Sequence, residues 1–411
     1  MAATPERPNL RFIPFRKRDV VEMCLAEGSL SAVEQMQFRD LCELLQSVYH
    51  FDFHTILEDL KDTYAPLNPD RDTRKIGAFG ADRNVEFVDQ LGNLLNRANY
   101  EKLTDEELGS AFNESSLFKL KLDINFDDFE EVLLFTRGES TRHETVSTAF
   151  GLIKKTVTFT NYDRVVIYIR FSENTQGNPQ GYKPGSIMLK MFQNVPKADM
   201  EILFPNTQVG MRLLDKLMIG LPALVGGGII LTTQVGTSLL LFGSLLGFWF
   251  GLLAEPVELN EAIIIGLLAG FGALGSFIWK QFVNFKNRKL TFMQALTQSL
   301  YFKNLDNNAG VFHRLLDDAE EEECKEAILA YYFLTAMPNI SDPTALDAAI
   351  EAWFSSRWQS SVDFEIDDAL HKLTELGLID QTQEGLKAVN LEVACRQLDE
   401  RWDQYFGFSN T

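Results

Sequence analysis

The residues LMIGLPALVGGGIILTTQVGTSLLLFGSLLGFWFGLLA, at positions 217–254, decide the fold expected from this sequence, because none of their side chains is charged. A second apolar run, AIIIGLLAGFGALGSFIW, occupies positions 262–279. A helix that crosses a lipid bilayer needs about 20 consecutive apolar residues. We therefore expect this region to lie in a membrane and the rest of the chain to extend from it.

The charges around the two runs predict how often the chain crosses. The intervening segment 255–261 carries three Glu and no basic residue, whereas both outer flanks are basic, with Lys216 on one side and Lys280 and Lys286 on the other. Basic flanks favour the same, inner side, so the number of crossings is even. This predicts a two-span hairpin, 232–254 and 262–282. Three crossings are the alternative.

The residues before the first predicted span, 217–231, are too few to cross alone and too apolar to leave the bilayer. They form either an interfacial or re-entrant segment or a tilted start of the first span. Residues 201–216 are the expected juxtamembrane linker.

Small residues recur along both predicted spans, which predicts close helix packing. The first span carries Gly243, Gly247 and Gly251, and the second carries Gly266 and Gly270. Rows of glycine let helix backbones approach in lipid, as in a glycine zipper. The spans could pack on each other, or on copies of this chain in a homo-oligomer.

The two ends of the chain have different patterns. In residues 1–200, a capping box at Ser31 and Glu34 opens an amphipathic helix, and later segments contain the β-branched and apolar residues typical of strands. The expected strands cover 131–135, 155–160, 165–171 and 186–192. This end is predicted to be a soluble α+β domain with helices and a mainly antiparallel sheet.

The other end is predicted to be helical. Residues 283–336 form the expected juxtamembrane helices, and residues 337–411 read as helix, helix, hairpin and helix. The expected positions of those four elements are 345–358, 366–376, 379–389 and 391–405. This order is typical of a winged-helix domain. Together, the fold class is an α+β membrane protein with a two-span hairpin between an N-terminal domain and a winged-helix-like end.

The charge distribution limits the possible partners. The formal net charge is −20, and residues 316–411 hold 21 Asp or Glu against six Lys or Arg. Such a surface repels phosphate backbones, so nucleic acid is not expected as a ligand. A protein partner that binds the acidic C-terminal domain is expected instead. The four cysteines show no metal or disulfide spacing, and we expect them to be reduced.

Four separated blocks resemble a known family. They are FIPFRKRDV, MEILFPNTQVGMRLLDKLMIGLPAL, LYFKNLDNNAGVFHRLLDDAEEEECKEAILAYYFL and VDFEIDDALHKLTELGLI. Together they resemble the transmembrane protein 143 family, which corresponds to a domain of unknown function numbered 3754, and the short leader is similar to that of a cyanobacterial member. The resemblance implies a membrane protein with soluble domains at both ends and no established activity. Together with the basic flanks of the apolar region, this predicts a plasma or thylakoid membrane protein with both termini cytoplasmic.

Candidate chemistry is sparse. His50, His54 and Glu58 recur at four-residue spacing, which makes them candidate metal ligands on one helix face. Ordinary surface or core histidines are the favoured interpretation, because no second element supplies further ligands. His313, Asp317 and Glu321 repeat that spacing beside Glu320 and Glu323. Here a solvated acidic face is the favoured interpretation, and a divalent-cation site is the alternative. No catalytic motif is present, because the His143–Glu144 pair lacks the second His of a zinc-protease helix.

We therefore expect no cofactor and no enzymatic activity. The expected function is that of a membrane-anchored interaction, scaffold or assembly factor. One alternative is an oligomeric channel or transporter whose pore lies between the glycine-rich helices. Another is a membrane-bound hydrolase with an unfamiliar site.

Overall fold

A computed structural model describes most of the chain. The described residues are 10–69, 84–104, 106–109, 121–148, 153–173, 183–210, 243–244, 246–251, 261–340, 342–382 and 385–406. They divide into two compact units. The larger unit takes in the described residues of 1–117, 125–206 and 303–411, and the smaller unit takes in those of 118–124 and 207–302.

The larger unit contains a five-stranded antiparallel sheet. Its strands are β1 (Glu101–Lys102), β3 (Phe129–Thr148), β4 (Ile153–Phe171), β5 (Ile187–Pro196) and β7 (Asn304–Asn307), in the order β1-β3-β4-β5-β7. The α+β class and the mainly antiparallel sheet are confirmed. The predicted strands 155–160 and 165–171 are parts of β4, because the intervening Asn161, Tyr162 and Arg164 stay paired with β3.

Helices from both ends of the chain accompany this sheet. They are α1 (Lys17–Ala26), α2 (Ala32–Tyr64), α3 (Asn84–Arg97), α5 (Ala309–Ala336), α6 (Pro343–Trp358), α7 (Ile366–Glu375) and α8 (Leu391–Gln404). The hairpin of β8 (Ile379–Thr382) and β9 (Gly385–Ala388) separates α7 from α8. The predicted order of helices and hairpin at the C-terminal end is confirmed. The winged-helix assignment itself stays a prediction.

The capping box predicted for α2 is present. The Ser31 hydroxyl accepts a hydrogen bond from the Glu34 N–H at 3.4 Å, and the Glu34 carboxylate accepts one from the Ser31 N–H at 2.8 Å. Each bond satisfies a donor that the helix itself leaves free. The helix then runs to Tyr64 as one 33-residue element.

The helix α5 forms the centre of the hydrophobic core. Eighteen of its 28 residues are buried, including Phe312, Cys324 and Phe333. The ring of Phe38 on α2 lies 5.6 Å from that of Tyr332, and α8 packs on α2 through Phe51 and Tyr405, whose rings are 4.3 Å apart. One core therefore joins helices from the two ends of the chain.

The smaller unit contains α4 (Glu261–Lys303) up to Phe302 and a pair of short strands, β2 (Lys121–Asp123) and β6 (Gln208–Gly210). No helix among the described residues is long and apolar enough to cross a membrane. This finding contradicts the two-span hairpin at 232–254 and 262–282, and with it the membrane fold class and the localisation in a plasma or thylakoid membrane.

The prediction treated each apolar run as a separate helix that ends where the apolar residues end. In the structure, residues 262–282 belong to a 43-residue helix that continues through the charged side chains of Lys286, Arg288 and Lys289. Most residues of 232–254, and all of 217–231, lie outside the described residues. The choice between two and three crossings depends on these residues, so it also lies outside what the structure describes.

Candidate functional site

The most unusual feature of the larger unit is a charged segment inside its central helix. Glu322, Glu323, Lys325 and Glu326 of α5 are each at most 2% exposed. A buried charge is costly unless a partner and hydrogen bonds compensate it. Each of these four side chains has such partners, and the partners come from segments far away in the chain.

Glu322 and Lys325 hold the start of the chain. Residues 10–17, which we call the strap, run to the first turn of α1. The Ile13 N–H donates to Glu322 Oε2 at 3.0 Å, and Lys325 Nζ donates to the carbonyls of Ile13 and Phe15 at 2.7 and 3.1 Å. Lys325 Nζ also lies 2.8 Å from Glu322 Oε1. All three ammonium protons therefore have acceptors.

Arg137 of β3 completes this arrangement. Its Nη2 lies 2.7 Å from Glu322 Oε1 and its Nη1 lies 3.2 Å from Asp318 Oδ2. The guanidinium also lies over the ring of Phe12, 4.4 Å from the centroid. Although burial opposes its charge, the carboxylates of Glu322 and Asp318 raise the pKa of Arg137. The sheet, the strap and α5 are thus joined through one charged cluster.

Glu323 and Glu326 bind two further cations. Arg97 of α3 donates from Nη2 to Glu323 Oε2 at 2.9 Å, and Lys372 of α7 lies 3.1 Å from Glu326 Oε2. Asn99 also donates to Glu326, at 3.0 Å. Burial nevertheless raises the pKa of Glu326 to about 7. Lys372 stays charged, because the carboxylates of Glu326 and Glu323 raise its pKa against the effect of burial.

A cleft of about 480 Å³ opens beside this cluster. One wall is the strap, from Phe12 to Arg16, and another is α5. The sheet contributes Arg137, Arg142, Asp163, Arg164 and Asn194, and α5 contributes Asp318, Glu321, Glu322 and Lys325. The lining therefore mixes five cations with four carboxylates.

A second candidate region lies on the outside of α6 and α7. We call the carboxylates of Asp347, Glu351, Asp363, Glu365 and Asp367 the acidic surface. Burial and the neighbouring Glu351, Asp363, Asp367 and Glu365 raise the pKa of Asp347 to about 6. Asp347 Oδ1 is buried, and among the described residues it has no hydrogen-bond partner. The other four carboxylates therefore lie close enough to Asp347 to disfavour its charged form.

The strap begins on this acidic surface. The Leu10 N–H donates to the Ser361 carbonyl at 3.1 Å, and the Asp363 N–H donates to the Leu10 carbonyl at 2.8 Å, which makes a parallel β-bridge. Next to the bridge, Arg11 Nη2 lies 2.7 Å from Glu365 Oε1. An extended, arginine-containing segment is thus bound there through its main chain and its charge.

Among the candidate metal ligands, His50 and His54 lie on α2 and His313 lies on α5, and all three are exposed. His50 Nδ1 lies 3.0 Å from Glu320 Oε2, and Glu58 pairs with Lys61 at 2.8 Å. Glu321, from the other candidate set, accepts a hydrogen bond from the Lys17 N–H at 3.2 Å. Across the described ranges, no group of three His, Cys, Asp or Glu side chains could hold a metal ion.

The glycine rows remain a prediction. Around Gly243 and Gly251 the structure leaves open space where a Cβ would lie, and Gly251 has a φ of +72°, outside the helical range. Gly247 is helical and half-buried, and Gly266 and Gly270 lie on α4. Within the described residues, none of these facts identifies a partner helix.

Sequence reasoning missed the residues that build the cleft. Arg137 and Arg142 lie on β3 beyond the predicted strand 131–135, and Arg164 lies on β4 between the predicted strands 155–160 and 165–171. A usable signal was present, because a strand that packs on a core seldom carries arginine unless the charge is paired.

Comparison with protein families gives a match for part of the chain. Residues 162–310 match the family model described as Protein of unknown function (DUF3754). This confirms the domain of unknown function expected from the sequence, and the match covers less than half of the chain. The narrower assignments, to the transmembrane protein 143 family and to a cyanobacterial member, stay predictions. No solved structure matches the chain.

The DUF3754 match covers one part of the cleft. Asp163, Arg164 and Asn194 lie within the matched residues, whereas the charged segment of α5 follows them.

Proposed function

We propose that this protein acts by binding another protein, as an interaction or assembly factor without catalytic activity of its own. The proposed docking region is the acidic surface, and the proposed partner presents an extended, basic segment. Nucleic acid is not proposed, because the same carboxylates repel a phosphate backbone.

The observation that carries this proposal is the way in which the acidic surface binds Leu10 and Arg11. At that point the chain binds its own extended segment by a β-bridge and an Arg–Glu ion pair. Addition of an extended segment through main-chain hydrogen bonds, with side-chain pockets for specificity, is a recurring mode of peptide recognition. The acidic surface therefore has a chemistry suited to a basic peptide.

The carboxylates of the acidic surface other than Glu365 are the reason to propose a further, cationic ligand. Asp363 and Asp367 are exposed, and no cation among the described residues pairs with either. Both carboxylates help to raise the pKa of Asp347, so a cationic partner that binds them would offset an unfavourable interaction. Glu351 is already used, because it accepts the Phe364 N–H at 3.2 Å.

Titration of the full chain with a fluorescein-labelled, arginine-rich peptide, followed by fluorescence anisotropy, tests the proposal. We expect saturable binding that weakens as salt is added, because exposed charge pairs are screened. The double substitution Asp363→Asn/Asp367→Asn should weaken binding about five- to tenfold, since each exposed ion pair contributes up to about 1 kcal/mol.

The matched control is Asp399→Asn/Asp403→Asn on α8. It removes the same number of exposed carboxylates from a surface outside the docking region, so binding should be unchanged. Equal weakening by the two double variants would show attraction to net charge only and would refute the proposed docking region. Absence of saturable binding to the wild-type chain would do the same.

The channel or transporter alternative is not retained, because it depended on the contradicted membrane spans. Self-association remains a separate proposal for the glycine rows. Sedimentation of the full chain before and after Gly247→Leu tests it, and an unchanged distribution would remove it.

A further inference from the structure

Two arginines on the sheet side of the cleft have hydrogen-bond donors to spare. Arg142 donates from Nη2 to Asn194 Oδ1 at 2.9 Å and to Asp163 Oδ1 at 3.4 Å. Arg164 donates from Nη1 to the Asp163 carbonyl at 3.2 Å. A guanidinium carries five N–H donors. Within the described part of the chain, the other donors of both side chains have no acceptor.

The carboxylates of the cleft are already committed. Glu322 accepts from Arg137, Lys325 and the Ile13 N–H. Asp318 accepts from Arg137 and from the Tyr100 hydroxyl, the latter at 3.1 Å.

Glu321 faces Arg16 at 3.6 Å and accepts the Lys17 N–H. Among the described residues, Arg164 forms no ion pair with any of these carboxylates. One positive charge is therefore left over in a chain whose formal net charge is −20.

We propose that the cleft binds a small molecule with one oxyanion group, a phosphate or a carboxylate, and that Arg142 and Arg164 anchor this group. The planar fork of arginine matches the oxygens of both groups and can donate two parallel hydrogen bonds. Both arginines line the cleft, and both contact Asp163, Arg142 through the carboxylate and Arg164 through the main-chain carbonyl.

The size and the other walls of the cleft narrow the ligand class. A volume of about 480 Å³ exceeds what a bare anion needs and falls within the range of small-molecule sites. The oxyanion is therefore one end of a larger molecule. Glu321 and Asp318 on the opposite wall disfavour a polyanion, and the strap offers Phe12 and Pro14 to an apolar portion.

Thermal unfolding of the full chain in phosphate, acetate or chloride, at equal ionic strength, tests this inference. Phosphate or acetate should raise the unfolding temperature along a saturating curve, whereas chloride should not, because only an oxyanion engages the arginine forks. The oxyanion with the larger shift identifies the group. Arg142→Gln and Arg164→Gln should each weaken the apparent affinity at least about tenfold.

The matched control is Arg314→Gln, since Arg314 is a half-exposed arginine paired with Asp306 and does not line the cleft. This variant should keep the full shift. A shift that does not saturate, or that falls equally in Arg314→Gln, would overturn the inference.

A measurement on the wild-type chain keeps the test decisive if a cleft variant does not fold. Hydrogen exchange with and without the oxyanion should show slower exchange at residues 137–142, 161–164 and 193–195. Unchanged exchange in all three segments at saturating anion would also overturn the inference.

Discussion

Glu322 and Lys325 lie one helical turn apart on α5, with 2.8 Å between their charged atoms, and both bind the main chain of Ile13. The pair is almost fully buried, so its value to the fold depends on this additional bonding as much as on the mutual attraction. The strap is consequently part of the structure of the core.

Lys325→Met should destabilise the fold by about 3–5 kcal/mol, because it leaves Glu322 buried with less compensation and removes two bonds to the strap. Urea unfolding measures the change. Lys61→Met, which breaks an exposed pair with Glu58, should cost no more than about 0.5 kcal/mol. Similar losses in the two variants would mean that burial of the Lys325 pair has no special effect.

Lys372 offers a test by a double-mutant cycle. Lys372→Met should also cost about 3–5 kcal/mol, because the buried Glu326 and Glu323 lose a cation. Glu326→Gln should cost less, since the pKa of Glu326 is raised to about 7 and part of the population is already neutral at that pH. The double variant should be more stable than the sum of the two losses predicts, and strict additivity would contradict the coupling.

Asp347 makes stability depend on pH. Its folded-state pKa of about 6 lies above the usual 3.8, so the protonated form is favoured by folding. That contribution is complete below about pH 4 and is lost as the pH rises through about 6. Asp347→Asn should therefore be more stable than the wild type by about 1 kcal/mol at pH 7, after allowance for solvent screening, and the gain should vanish near pH 4.

Urea midpoints across this pH range measure the effect, with Asp399→Asn as the control. Because Asp399 is exposed on α8, its substitution should give no pH-dependent gain. A gain at pH 7 that persists at pH 4 would assign the effect to something other than titration of Asp347.

Replacement of glycine by alanine should change the stability of the fold in opposite directions at two positions. Gly138 has a φ of +75°, and a Cβ there would lie 2.8 Å from Asp163 Oδ2, so Gly138→Ala should cost about 2 kcal/mol. Gly92 lies inside α3 with nothing within 4 Å of an added Cβ, so Gly92→Ala should stabilise by about 0.5–1 kcal/mol. Thermal unfolding of both variants checks the signs, and a gain for Gly138→Ala would contradict the backbone strain expected at this position of β3.

Local patterns made some elements predictable. The capping box at Ser31 and Glu34, and the order of helices and hairpin after residue 337, depend on neighbours within a few residues. The strand β7 (Asn304–Asn307) was missed, because it lies within residues 283–336, which were expected to be helical. Its pairing with β5 depends on Lys190 and Met191, more than a hundred residues earlier.

The buried charges were unpredictable for the same reason. The run of Glu from 320 to 323 was read as a solvated face, since charge runs usually are. Its partners include Arg137 and Arg97, which lie 185 and 226 residues away from Glu322 and Glu323. Likewise, apolar composition suggested membrane spans without showing how far the helix containing 262–282 continues.

The strap has a consequence for how the cleft could change. Glu322 and Lys325 bind main-chain atoms of Ile13 and Phe15, which every residue type supplies. The side chains of Phe12, Pro14 and Arg16 line the cleft, and Glu322 and Lys325 do not bind the strap through them. Substitutions at these three positions can therefore change the wall of the cleft while the main-chain bonds keep the strap in place. The side chains that line this wall can vary in sequence, although the backbone that carries them is fixed.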